Sequence, residues 1–207
     1  MKNASGFASL TPTALADVLD RTRVMDVGIR PLWAGMPRIA GPAFPVVCVP
    51  GDNLMLHAAI YRAAPGSVIV VQVGDTDFAV AGGNVCAVAQ QNGIAGFVVD
   101  GAIRDLGEIR AMRFPVFARG IMPKPGEKKV ATPAGEPASC GGVLVELGDL
   151  VVADEEGIVV VPSERIEDTL SAALSKAQHA EDETLDSWQT SHHAKISAAL
   201  AARGFTL

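Results

Sequence analysis

The apolar positions of this chain change their period several times, and each change marks an element. Leu15, Val18 and Leu19 recur at helical spacing behind Thr11-Pro12, an N-cap followed by proline at the first helical position, so a short helix opens the chain. From Trp33 to Pro50 prolines and glycines punctuate the apolar runs, and Ala43 to Val49 reads as a strand that Pro45 places at an edge or a bulge. Met55 to Ala64 predicts a helix, Pro65-Gly66 a turn, and Ser67 to Val73 a buried strand. Asn84 to Gln91 then predicts a helix closed by Asn92-Gly93, Gly96 to Val99 a strand, Ile103 to Met112 a helix, and Pro115 to Ala118 a strand. Such a βαβαβ run forces right-handed crossovers and a parallel sheet covered by helices, and ligands collect beyond the carboxyl ends of its strands.

Beyond Gly120 the pattern changes. Lys124 to Pro137 is polar and proline-rich, while Gly142 to Leu147, Leu150 to Asp154 and Ile158 to Val161 are short β-rich runs that predict an antiparallel layer. The polar Asp154-Glu155-Glu156-Gly157 between the last two is a hairpin turn. Pro162-Ser163 starts a helix carrying Ile166, Leu170, Leu174 and Ala177, and a second helical stretch carries Ile196 and Leu200 and closes at Gly204. The class is α/β: a parallel βαβ core, an antiparallel β layer and C-terminal helices. Residues 1–207 form a single domain, with 163–207 a helical extension suited to subunit contacts.

Composition narrows the functions open to such a fold. With 207 residues, 49% of them apolar against 19% charged and 5% aromatic, the chain builds an aliphatic core and is not a disordered segment. A net charge of −6 leaves no basic excess for nucleic acid or anionic lipid. The three cysteines, Cys48, Cys86 and Cys140, fit a reduced interior and a cytoplasmic setting. The first ten residues lack the apolar run of a signal peptide, and no stretch reaches the roughly 18 apolar residues of a membrane span.

Two segments carry candidate chemistry. Asp100-Gly101-Ala102-Ile103-Arg104-Asp105 follows the Gly96 to Val99 strand and sets a cation beside an anion. Arg104 offers a planar fork for a carboxylate and Asp105 a hard oxygen ligand, although the pair also reads as a surface ion pair and Asp100 as an N-cap. Gly82-Gly83-Asn84-Val85 opens the preceding helix and presents free backbone N–H groups to an anion, or is an ordinary tight turn. Neighbouring βα loops share one rim, which brings the two segments together. His192 and His193 read as a solvated helix face, His57, near Asp52-Asn53, as a structural histidine or else one that reaches a site, and Cys86 as a core residue with no partner base.

These blocks, taken with Gly51-Asp52-Asn53, with Phe114-Pro115-Val116-Phe117-Ala118-Arg119-Gly120 and with the run from Gly148 to Pro162, resemble the 4-hydroxy-4-methyl-2-oxoglutarate/4-carboxy-4-hydroxy-2-oxoadipate aldolase family, which shares its fold with the regulator of ribonuclease E activity. The resemblance implies a swivelling β/β/α fold, a homotrimer or hexamer with sites between subunits, and Mg²⁺ or Mn²⁺ held by Asp105 and by waters. It makes Arg104 the clamp on the pyruvyl part of the substrate. The amides around Gly82, Gly83, Asn84, Val85 and Cys86 grip the carboxylate, and Glu181 of a neighbouring subunit, with Glu183 within one turn, supports the metal waters. Many members carry an acid where this chain has Gly83. The activity implied is a divalent-metal-dependent lyase cleaving 4-hydroxy-2-oxo acids to pyruvate, with oxaloacetate decarboxylation through the same enolate. The alternative is a non-catalytic protein that binds ribonuclease E or another partner.

Overall fold

The computed structural model describes residues 4–207, and their side chains except at 4–5 and 179–182. Its strands are β1 (Arg30–Pro31), β2 (Ile39–Val47), β3 (Val68–Gln72), β4 (Gly96–Ile103), β5 (Val116–Ile121), β6 (Ala138–Cys140), β7 (Val143–Val145), β8 (Leu150–Asp154) and β9 (Gly157–Val161). Its helices are α1 (Ala4–Phe7), α2 (Pro12–Ala16), α3 (Leu54–Ala59), α4 (Gly83–Gln91), α5 (Leu106–Ala111), α6 (Ile166–Asp182) and α7 (Leu185–Ala201). Two compact units divide the chain, Met1–Ala173 and Leu174–Leu207, with the break inside α6.

In the first unit one seven-stranded sheet runs in the order β1-β5-β4-β3-β2-β8-β9. Strands β2 to β5 are mutually parallel, whereas β1, β8 and β9 pair antiparallel with their neighbours. Successive side chains of a strand face opposite sides. Accordingly Ile69 and Val71 of β3 join Phe97, Val99 and Val116 beneath α3, α4 and α5, while Val68 and Val70 join Val98 and Phe117 beneath the β6–β7 hairpin. Phe97 meets Phe114 edge-on at 4.9 Å between ring centroids. A sheet covered on both faces explains why the central strands read as continuous apolar runs and do not alternate. A third cluster packs Phe7, Leu10 and Leu15 of the N-terminal segment, with Ala173 of α6, against β8 and β9.

The expected α/β class, with a largely parallel core and C-terminal helices, holds. Several boundaries move, each for a local reason. The strand around Pro45 is internal and begins at Ile39, because residues 39–42 pair with β8 and residues 43–47 with β3. Each half of β2 is laddered on one side only, so Pro42 and Pro45 forfeit little by lacking an N–H. The expected antiparallel layer is split: β8 and β9 extend the main sheet, and only β6–β7 lies over its face. Strand β4 runs four residues past Val99 through a register shift, which delays α5 to Leu106.

Asp100 is therefore a strand residue and not a helix cap. Arg119 Nε donates to its Oδ1, Arg119 Nη2 donates to Asp26 at 2.7 Å, and Asp100 Oδ2 accepts from the Gly141 N–H at 2.8 Å. This network ties β4 and β5 to the turn of the β6–β7 hairpin. In the second unit Thr184 caps α7 by accepting from the Ser187 N–H at 3.2 Å, and His192 stacks on Trp188. Among the described residues no helix is long and apolar enough to cross a membrane.

Candidate active site

A single threaded segment builds the floor of the site. After β3 the chain returns through residues 79–82, bonded on one side to the end of β4 (Val80 N–H to Ala102 O, 3.0 Å; Arg104 N–H to Ala81 O, 2.9 Å). On its other side Ala79 N–H donates to Lys124 O at 2.7 Å, and the Gly126 N–H returns a bond to Ala79 O. The 124–130 loop is in turn anchored on Asp52, whose carboxylate accepts from the N–H groups of Leu54, Lys129 and Val130. Burial alone would push that carboxyl up, but these three backbone donors, with the charge of Lys128, hold it below the usual range.

Over this floor opens a cleft with a cavity volume of about 80 Å³. Gly82, Asn84, Val85, Arg104 and Asp105 line one wall, and Asn53, His57 and Lys128 line another. The two segments singled out by residue type thus share one rim at the carboxyl ends of β3 and β4, as a parallel sheet requires.

Side chains of the Arg104–Glu108 segment crowd both glycines. Asp105 caps α5 in the left-handed region (φ 59°, ψ 38°), and its Oδ2 accepts from the Gly83 N–H at 3.0 Å with Arg104 Nε at 3.4 Å. A Cβ on Gly82 would overlap Asp105 Oδ2 and come within 3.0 Å of Arg104 Cγ. A Cβ on Gly83 would overlap Glu108 Oε2, so the space that an acidic side chain at 83 would enter is held by the carboxylate of Glu108.

Of the amides at the start of α4, Gly83 N–H is taken by Asp105, and Cys86 N–H makes the first intrahelical bond, to Gly82 O at 3.1 Å. The Cys86 amide is therefore spent, and its thiol, pushed up to about 12 chiefly by burial, lies in the core and not in the cleft. The N–H groups of Asn84 and Val85 have no partner among the described residues and stand at the positive end of the helix.

The donor set fits a weakly held hard cation. Asp105 is exposed, and its Oδ1 accepts no bond among the described residues. Asn53 Oδ1, buried in the cleft wall, also lacks a donor, although its Nδ2 donates to Gly126 O at 3.2 Å. No group of three or more His, Cys, Asp or Glu that could hold a metal ion is clustered among the described residues, and Asp105 is the one carboxylate that lines the cleft. Glu181 lies outside the residues whose side chains are described.

Glu108, Asn53 and Lys128 had no assigned role from residue type. Glu108 was hidden in an assumed helix from Ile103. Asn53 and Lys128 meet only because the 124–130 loop folds back on the segment after β2. His57 does line the cleft, and burial, then the charge of Lys128, push its imidazole below the ordinary value.

A model of the RraA-like family (Aldolase/RraA) matches residues 12–160. A Halalkalibacterium halodurans protein carrying the provisional name 4-hydroxy-4-methyl-2-oxoglutarate aldolase is 40% identical over 178 residues, covering 86% of this chain and 83% of its own. Among solved structures, Streptomyces coelicolor RraAS2, described as an unusual member of the RNase ES inhibitor RraA protein family, superposes with a TM-score of 0.78. It is 29% identical and covers 86% of this chain and 93% of its own. The RNA-processing inhibitor RraA from Thermus thermophilis superposes at 0.66, with 28% identity over 72% of this chain and 91% of that one.

Proposed function

This chain belongs to the RraA-like (Aldolase/RraA) family, and from that premise we propose that it is a lyase cleaving 4-hydroxy-2-oxo acids to pyruvate. One observation carries the reading: the Arg104 guanidinium, the unspent amides of Asn84 and Val85 and the part-free carboxylate of Asp105 converge on one small cleft.

The reaction asks for such a set. The hydroxyl proton leaves, the C3–C4 bond breaks, the oxygen on C4 becomes a carbonyl, and the electron pair of the broken bond moves into the C2 carbonyl as an enolate. A proton delivered to C3 completes pyruvate. The substrate carboxylate suits the Asn84 and Val85 amides, which already point outward at a helix N-terminus. The planar fork of Arg104 suits the oxygen on which charge develops, and an interaction that strengthens there lowers the barrier. Asp105, fixed by Gly83, would hold Mg²⁺ or Mn²⁺, whose charge would favour the same oxygen. Loss of CO₂ from oxaloacetate leaves the same enolate, so decarboxylation belongs to the proposal, as does a homotrimer or hexamer as the working assembly.

The test is pyruvate release across a panel of 4-hydroxy-2-oxo acids and oxaloacetate, with Mg²⁺ and with chelator. Release in Mg²⁺ that stops with chelator is the expected result, and full activity in excess chelator would overturn the metal dependence. The second reading, a non-catalytic inhibitor of an RNA-processing enzyme, draws on the RraA proteins among the structural relatives. It gains if no member of the panel releases pyruvate and the protein slows a ribonuclease instead.

A further inference from the structure

We propose that His57 is the proton carrier of the cleft, taking the proton of the substrate's C4 hydroxyl and returning it to C3 of the enolate; this rests on the lyase reading above. His57 sits on α3, whose Met55, Leu56 and Ala59 are buried in the core, and its own half-buried side chain lines the cleft with Arg104, Asp105 and Lys128. The helix is fixed at its start. Asp52 accepts from the Leu54 N–H at 2.8 Å, and the Asn53 N–H donates to Glu127 O at 2.8 Å.

Few side chains of the cleft suit the task. An arginine or lysine cation only donates hydrogen bonds and an ionised carboxylate only accepts them, so Arg104, Lys128 and Asp105 each meet half of it. Neutral imidazole carries one N–H and one bare nitrogen, and it both takes and gives a proton near neutral pH. The surroundings keep His57 in that form. Burial first, then the charge of Lys128 and, more weakly, that of Arg104 disfavour a protonated ring, while the Val80 backbone and Asp52 act the other way. A backbone group that favours the protonated ring is an acceptor, so the Val80 carbonyl suits the ring N–H and leaves the bare nitrogen for the substrate.

The hydroxyl oxygen and C3 are both bonded to C4, so one ring nitrogen serves both. In the first step the O–H and C3–C4 bonds break, the oxygen on C4 becomes a carbonyl, the electron pair passes into the enolate, and the proton stays on His57. In the second the imidazolium N–H bond breaks, a C3–H bond forms, and the ring is neutral again. The proton that leaves is the proton that returns, and no other reactant is consumed. A ring on which burial and two cations disfavour charge gives its proton up readily, which suits the second step. Oxaloacetate differs in one respect. It has no hydroxyl proton to lose on the way to the enolate, so His57 enters only after CO₂ has left.

The experiment compares cleavage of 4-hydroxy-2-oxoglutarate with decarboxylation of oxaloacetate by the full-length protein in Mg²⁺, for the parent, His57→Gln and His57→Ala, across a range of pH. His57→Gln keeps a polar side chain but carries no proton, so cleavage should fall by about 100-fold or more, the scale of a general acid–base residue, while decarboxylation stays within a few-fold. In the parent, kcat/KM for cleavage should fall with acid at a midpoint below the ordinary 6.5 of histidine. The same midpoint should appear in an NMR titration of the His57 ring, assigned by its loss in His57→Gln. Both variants should lack that acid limb, and added imidazole should restore part of the cleavage to His57→Ala. Equal slowing of the two reactions would overturn the proposal by making His57 a structural or binding residue, and so would cleavage by His57→Gln at the parent's rate. A parent that decarboxylates oxaloacetate but cleaves no hydroxy acid overturns it as well, whereas release of pyruvate from neither substrate overturns the lyase reading itself, and His57 with it.

Discussion

Asp105 Oδ2 accepts a hydrogen bond from the Gly83 N–H at 3.0 Å, so the carboxylate at the end of one βα unit is set by the first turn of the helix in the preceding unit. Because Asp105 also sits at φ 59°, alanine there would add backbone strain to the loss of charge. Asparagine tolerates this region and can still accept from Gly83. Asp105→Asn is therefore the clean variant. It should change stability by no more than about 0.5 kcal/mol. Turnover should fall by about 100-fold or more, the scale of losing one preorganised charge partner. Chemical denaturation and pyruvate release on the same preparation check both halves.

Arg104→Lys isolates the guanidinium. The charge remains, but the planar two-point grip goes, so metal affinity should hold while turnover falls on the order of 100-fold. If Arg104 acts on developing charge, the fall appears in kcat as well as in KM. A change confined to KM would assign Arg104 to ground-state binding of the carboxylate.

What the sequence made legible follows from how local each signal is. Thr11-Pro12 works as an N-cap within three residues, with Ala14 N–H bonding Thr11 Oγ1 at 3.1 Å, and the apolar runs of β3 and β4 need no partner to be recognised. Shared placement of Gly82 and Arg104 followed from topology alone, since parallel strands gather their carboxyl ends. The extension of β4 to Ile103 was not legible, because a register shift depends on the partner strand β5. The far wall was hidden for the same reason: Asn53 and Lys128 are brought together by bonds between their neighbourhoods, Asn53 Nδ2 to Gly126 O and Lys129 N–H to Asp52, across a long stretch of intervening chain. Glu108 reads as a helical surface acid and is one, exposed in the first turn of α5, and only the fold shows that its carboxylate lies over Gly83.

Asp52 predicts a stability effect outside the chemistry. It is 4% exposed and accepts from Leu54 N–H at 2.8 Å, Lys129 N–H at 2.6 Å and Val130 N–H at 3.2 Å. Asp52→Ala strips three donors at once, each costing about 1–3 kcal/mol if left unsatisfied, although water will recover part on this half-open loop. A net loss of roughly 3 kcal/mol in urea unfolding is expected. Asp52→Asn, which still accepts, should lose less than half of that. Equal losses in the two variants would mean that charge, and not acceptance of these bonds, holds the loop.

His57 gives the pH dependence. Burial first, then the nearby charges of Lys128 and Arg104, lower its pKa in the folded chain below the ordinary 6.5, against smaller raising contributions from the Val80 backbone and Asp52. The unfolded chain therefore binds this proton at a higher pH than the folded one. Stability rises with pH wherever the unfolded state binds more protons, so the contribution of neutral His57 is complete above about pH 6.5 and is lost as the pH falls below it, levelling once the folded pKa is passed. Asp52, whose folded pKa lies below 3.8, acts with the same sign but only in a far more acidic window. The two separate cleanly. His57→Gln should leave stability at about pH 7.5 changed only by lost packing, and should flatten the fall between about pH 7 and pH 5. Denaturant midpoints across that range for parent and variant decide it: parallel curves would mean that His57 takes up its proton equally well in the folded and unfolded chains, and that the acid sensitivity arises elsewhere.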